Sequence, residues 1–322
     1  MASGKKSNRN HHWWPVGLQS YWSDRAGDVS WIEPDGKIEK KRSTRRKIGL
    51  KIHGHTIFRG SIWEDNFEDE FEIDSDVHEI ISALYGLKPF GGTPAEFVSL
   101  IWLLRKKDRS LRDMCKLYRL DEELQRKLLL LVYSLLIRSP GNRNRYEGYP
   151  KIFGRDPDEE VGKGNMAQNY RSAKRLCQKA SISNQYFVLM HSPLKNFIFG
   201  DGSLDWLTHA LVANRINGKA LLPLTPNLCI YFCTPMCMWP THNCASLIAA
   251  PWMVDWVNEI TQIYARDKLF FLGRPPKIAE AFRQRRFLEH KEKTDPLIDM
   301  LDEIAGIERC WEIKGLGASS PL

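Results

Sequence analysis

The sequence has no apolar run long enough to cross a bilayer, which takes roughly 20 residues. The stretch Leu128–Ile137 reaches only about half that length and contains Tyr133 and Ser134. It also lacks a disulfide framework. Its seven cysteines are odd in number and show no CxxC pair or regular scaffold spacing, which excludes a disulfide-stapled fold and suits a reducing compartment. The glycines of Gly162-Lys163-Gly164 do not meet the P-loop spacing, so a nucleotide cradle is not expected there. No known catalytic signature is complete. The opening MASGKKSNRNHH is polar and charged. It reads as a flexible leader over residues 1–10 rather than a signal peptide, and a cytoplasmic protein is expected.

What is present fits a globular chain. There are 322 residues, 43% of them hydrophobic, with eleven tryptophans and a net charge of +8. The tryptophans suit a bulky aromatic core or a base-stacking platform. The charge admits nucleic acid or another polyanion as partner, and no membrane partner is expected. The strongest element is Asp121–Pro140. Acids open it, Leu124, Leu128, Leu131 and Leu135 line one helical stripe, and Arg138 falls on the same stripe before Ser139-Pro140 stops the helix. A guanidinium carried inward needs a carboxylate, carbonyls or a bound anion.

Elsewhere, VSWIE and KIEKK around Pro34-Asp35-Gly36 predict a hairpin over Asp28–Lys41, followed by the basic run Lys40–Lys47. IGLKIHGHTIF reads as a second strand pair with His53 and His55 on one face. No third ligand stands at fixed spacing from them, so no metal is expected. The acidic run Glu64–Asp76 is expected to fold back on the basic run. Helices are predicted over 76–87, over 93–104 behind a Thr93/Glu96 capping box, over 110–120, 121–138 and 165–180. Residues 141–164 read as loop. YFVLM, NFIFGDG and KALLPLTPNLCIYFC read as buried strands. Cys229, Cys233, Cys237, His242 and Cys244 lack knuckle spacing and read as core. Helices over 252–271, 277–293 and 296–306 close the chain. The expected architecture is α+β, with a single domain over 11–310 and a frayed tail over 311–322. Its strand-rich parts are 28–60 and 185–235, and its helical parts 76–180 and 252–305.

Several stretches together resemble the domain of unknown function numbered 4238. Asn10, His11, His12, Pro15 and Leu18 follow its opening pattern. Arg138-Ser139-Pro140 matches a helix ending in Arg-Thr/Ser-Pro. Phe197-Ile198-Phe199-Gly200-Asp201-Gly202 follows a Phe-Ile-x-Ser-Asp-x-Pro strand end, with glycine in place of serine and without the proline. Pro223-Leu224-Thr225-Pro226 matches Pro-Leu-Ser-Pro, and Asn258 matches an asparagine on a late helix. The five stretches span nearly the whole chain in order. The resemblance brings no activity with it; it implies that these polar residues converge.

Two functional readings follow. One is an enzyme, of phosphodiester hydrolase type, acting on nucleic acid or another phosphate-containing substrate without a cofactor. His11 or His12 would be its acid or base, Arg138 would steady negative charge, and Asp201 would orient the histidine. Arg143, Arg145, Thr225 and Asn258 would bind substrate. The other is a non-catalytic nucleic-acid- or protein-binding module, in which the same polar residues form a buried structural network.

Overall fold

The described residues before Gly60 hold short strands that pair both with near neighbours and with a strand far along the chain. A computed structural model of the chain describes residues 10–42, 48–59, 62–91, 93–104, 110–179, 185–235, 241–285 and 295–306. The expected leader, tail and most of the basic run lie outside the described residues. Strand β1 (Asn10–His12) is followed by the short helix α1 (Val16–Gln19), then β2 (Asp28–Ile32) and β3 (Ile38–Arg42), the predicted hairpin. Strands β4 (Leu50–Ile52), β5 (Thr56–Arg59) and β6 (Ile62–Asn66) come next. β4 and β5 do not pair with each other, as the sequence reading had them. β4 pairs antiparallel with β1 and β5 with β6, because His53–His55 turns the chain between them, with His53 in the left-handed region at φ 52°.

The helices of the middle obey their caps. α2 (Val77–Gly86) buries Val77, Ile80, Ile81 and Leu84. α3 (Pro94–Leu104) starts at the predicted capping box, Glu96 N–H to Thr93 Oγ1 and Thr93 N–H to Glu96. The helix expected over 110–120 is instead a 3-10 turn, Leu111–Met114, and a short strand β7 (Lys116–Tyr118). α4 (Glu122–Arg138) is capped by Asp121, whose carboxylate accepts from the Leu124 amide. Ser139 ends it and at once caps α5 (Pro140–Glu147), where a loop was expected. A capping serine followed by proline at the first helical position is itself a helix start. α6 (Glu159–Gln178) begins six residues earlier than expected, on the Asp158 cap.

The strand-rich part follows. β8 (Tyr186–His191), β9 (Phe199–Gly200), β10 (Leu204–Asp205), β11 (Lys219–Thr225), β12 (Leu228–Cys233) and β13 (Cys244–Ile248) precede α7 (Pro251–Tyr264), β14 (Leu269–Phe271), α8 (Glu280–Arg283) and α9 (Pro296–Ala305). The principal sheet has order β10-β11-β12-β8-β13-β7; β8 and β13 run parallel and its other pairs antiparallel. A second sheet, β3-β2-β14-β9, ties the N-terminal hairpin to the strand after α7. The helix expected over 252–271 therefore yields its last third to β14. The fold is mixed α+β. α9 lies on β8, β12 and β13, held by the Tyr231 hydroxyl on Asp302 at 2.5 Å. Cys229 and Cys233 on β12 and Cys244 on β13 are free, buried thiols, as are Cys115 and Cys177; Cys237 lies outside the described residues. No helix among the described residues is long and apolar enough to cross a membrane.

Candidate functional site

The turn between β4 and β5 gathers most of the chemistry. His11, on β1, is brought to it by the β1–β4 pairing, and its Nδ1 accepts the His55 amide at 2.7 Å. The two rings lie 5.3 Å apart and nearly parallel. His55 hydrogen-bonds through Nδ1 to Glu68, which follows β6, and Glu68 also accepts the His12 amide at 3.3 Å. Burial, with Arg138 and Arg143 nearby, holds the His55 imidazole well below its usual pKa, so His55 is neutral and donates to the carboxylate. Burial pulls His12 down as well and raises the Glu68 carboxyl, against the nearby charges of His11 and Arg138. Burial leaves the His55 Nε2 without a hydrogen-bond partner beside the rings of Phe67 and Phe71. His53 and His55 thus do not share a strand face. Glu68, hidden in an acidic run that reads as solvated surface, supplies what spacing could not reveal.

Arg138 lies directly behind. It is fully buried, as its helical stripe predicts. Its five N–H donors meet five acceptors: Nε to Ser134 O at 3.1 Å, Nη1 to His12 O at 3.1 Å and Asp74 Oδ2 at 2.8 Å, and Nη2 to Asp74 Oδ1 at 2.7 Å and Ser134 Oγ at 2.6 Å. The Phe71 ring covers it at 4.2 Å. Desolvation works against this charge, but Asp74 more than restores it and keeps the guanidinium charged. No donor remains for a substrate. Arg143 is buried too and reaches the same turn, donating to Gly54 O at 3.1 Å.

The other predicted residues lie elsewhere. Asp201 is buried, and its carboxylate accepts the amides of Arg266 and Asp267 at 2.7 and 2.9 Å. Burial raises its pKa to about 6. It fixes the turn from α7 into β14 and orients no histidine. Thr225 is buried against the Tyr85 hydroxyl at 2.6 Å. Asn258 ties α7 to the chain before β9, accepting from Ile198 N–H and donating to Asn196 O. The segments of the family resemblance do adjoin through their backbones: Gly141 N–H to Asp201 O, and Phe197 N–H to Pro226 O. Their side chains do not share one site. Gly200, where the family pattern has serine, admits no Cβ, which would stand 2.7 Å from Gly202 O. Among the described residues the acidic run pairs with α4 and α6, and most of the basic run lies outside them. Asp74 pairs with Arg138, Asp76 with Lys127, Asp65 and Glu70 with Arg171, and Glu72 with Lys174.

Arg145 occupies a different place. It faces a cavity of about 880 Å³ between α5, α6 and the 3-10 segment Thr208–Ala213. Its guanidinium touches the Thr208 hydroxyl at 2.6 Å and His209 Nε2 at 2.9 Å. Below it, Asp205 is engaged by Asn142 and by the amides of Leu207 and Thr208. From α6 the positions Asn165, Gln168, Asn169, Ser172 and Arg175 form one stripe along the opposite wall. Tyr149, half exposed, closes one side. No Asp or Glu lines this cavity, whereas a cavity beside α7 holds Asp255, Glu259 and Glu280 and a shallower one beside α4 holds Glu72 and Asp76. The sequence signal for it was Arg145 alone; the α6 stripe fell within the predicted helix over 165–180, with nothing to mark the cavity it faces.

The chain matches no protein-family model, and comparison with curated proteins and with solved structures gave no match.

Proposed function

We propose that the protein is a binding module for a nucleotide unit, free or within single-stranded nucleic acid, held in the Arg145 cavity. The observation that carries this reading is the lining: Arg145 and Arg175 stand in a wall that contains no Asp or Glu, the nearest carboxylate to Arg145 being Asp205, 3.9 Å behind its guanidinium. Such a wall attracts phosphate, and arginine meets it with paired donors. The amides of Asn165, Gln168 and Asn169 offer donors and acceptors suited to a base edge. Tyr149 offers an aromatic face for stacking, worth about 1–3 kcal/mol per base. Arg138 and Asp201 then belong to the framework, because their hydrogen-bonding capacity is used within the chain.

The test is titration of the protein with adenosine triphosphate and with short single-stranded RNA and DNA, followed by Tyr and Trp fluorescence at several salt concentrations. Binding should weaken as salt rises. Arg145→Ala should weaken it roughly tenfold or more, as for a lost charge-assisted bond, and Arg175→Ala should weaken it less. Wild-type affinity in both variants, or no binding of any of the three ligands, removes the proposal.

A further inference from the structure

We propose that His11, His55 and Glu68 bind one divalent transition-metal ion. Each offers one ligand atom, and the three atoms lie within 4.8 Å of one another, the only such group of histidines, cysteines and acids among the described residues. They come from β1, from the β4–β5 turn and from the segment after β6, so the tertiary fold alone assembles them. Two imidazoles and one carboxylate form a donor set that suits zinc and its neighbours in the first transition row, and leave a position for water.

The ligand atoms already face one another. The His55 amide donates to His11 Nδ1, which keeps that nitrogen free of a proton. The His55 Nε2 is buried and has no hydrogen-bond partner. The His55 Nδ1 bonds Glu68, so an ion shared by these two residues would take the place of that hydrogen bond. Asp74 satisfies Arg138, so Glu68 carries no ion pair with that guanidinium and its charge is available to a cation. His53 adds a second buried nitrogen without a partner, with its ring 6.4 Å from that of His11. Coordination would exchange the present hydrogen bonds for bonds to the ion and release protons.

None of these residues lines the Arg145 cavity, so this proposal and the nucleotide reading stand or fall separately. The experiment uses the untagged full chain. Metal content is measured by mass spectrometry after purification, and the chelator-treated protein is then titrated with Zn²⁺ and with Co²⁺, the latter followed by its visible absorption. The expected result is about one equivalent bound per chain, with affinity at least about tenfold weaker in Glu68→Gln, since even outer-shell changes cost that much. Glu68→Gln keeps a hydrogen-bonding partner for His55 and should remain folded by circular dichroism; His55→Gln is the second variant. Wild-type protein that binds less than about a tenth of an equivalent, or folded variants that bind as wild type does, would make the cluster a hydrogen-bonded clasp only and overturn the proposal.

Discussion

Arg138 shows what a single buried charge demands. With five donors satisfied and no exposed surface, it depends on Asp74 for neutrality. Removing one partner of such a pair leaves an uncompensated charge. Asp74→Ala should therefore cost about 3 kcal/mol or more of stability, measured by urea unfolding; a loss under about 1 kcal/mol would mean the pair is not needed. The helical stripe predicted the burial of Arg138, but its partner was out of reach of sequence reasoning. Asp74 sits among eight acids, and nothing in spacing tells which of them turns inward. His191 offers a second residue-scale test. Burial, aided by Lys88, lowers its pKa to about 4, against 6.5 for a free imidazole. The unfolded chain then binds the extra proton first, so stability is full above about pH 6.5 and declines as pH falls toward 4. His191→Gln should flatten that decline by at most about 3 kcal/mol, read from urea midpoints between pH 7 and 4. Parallel curves for the two proteins would contradict this.

At the scale of elements, the caps were legible and the shortest strands were not. Asp121 and the Thr93/Glu96 pair each mark a true helix start. Ser139-Pro140 was read only as a stop, though it is also the start of α5. β7 and β14 are three residues each and carry no periodicity; they are strands because β13 and β2 accept them as partners. Close backbone approach sets a further constraint. A Cβ at Gly202 would stand 2.1 Å from Tyr264 O, at the junction where Asp201 holds the amides of Arg266 and Asp267, while one at Gly164 in α6 would meet nothing within 4 Å. Gly164→Ala should gain roughly 0.5–1 kcal/mol from helix propensity. Gly202→Ala should destabilise by more than that, because backbone must move. Unfolding midpoints that shift in the same direction for both would show that the junction is looser than its geometry.

For the molecule as a whole, the mixed α+β class could be anticipated from the switch between helical stripes and short apolar runs near Gln185. The site could not, since its parts are brought together by pairings such as β1 with β4, whose partners lie about forty residues apart. The same long-range logic governs α9. Leu297, Ile298, Leu301 and Ile304 are buried, and Asp302 holds Tyr231 and Lys219. Removing residues 295–322 should forfeit about 6 kcal/mol or more of apolar burial, comparable to the whole stability of a domain. The shortened chain should not unfold cooperatively in urea; an unchanged tryptophan-fluorescence transition would refute this.

The five enclosed sulfhydryls supply a built-in clock. Burial pushes Cys115 and Cys177 up to about 12 and holds Cys229, Cys233 and Cys244 well above the ordinary thiol range, so alkylating reagents meet neither an accessible atom nor a thiolate. With Cys237 and Cys310 changed to serine, the rate of iodoacetamide uptake would time the opening of the interior itself, and a nucleotide or metal that grips the closed form would slow it.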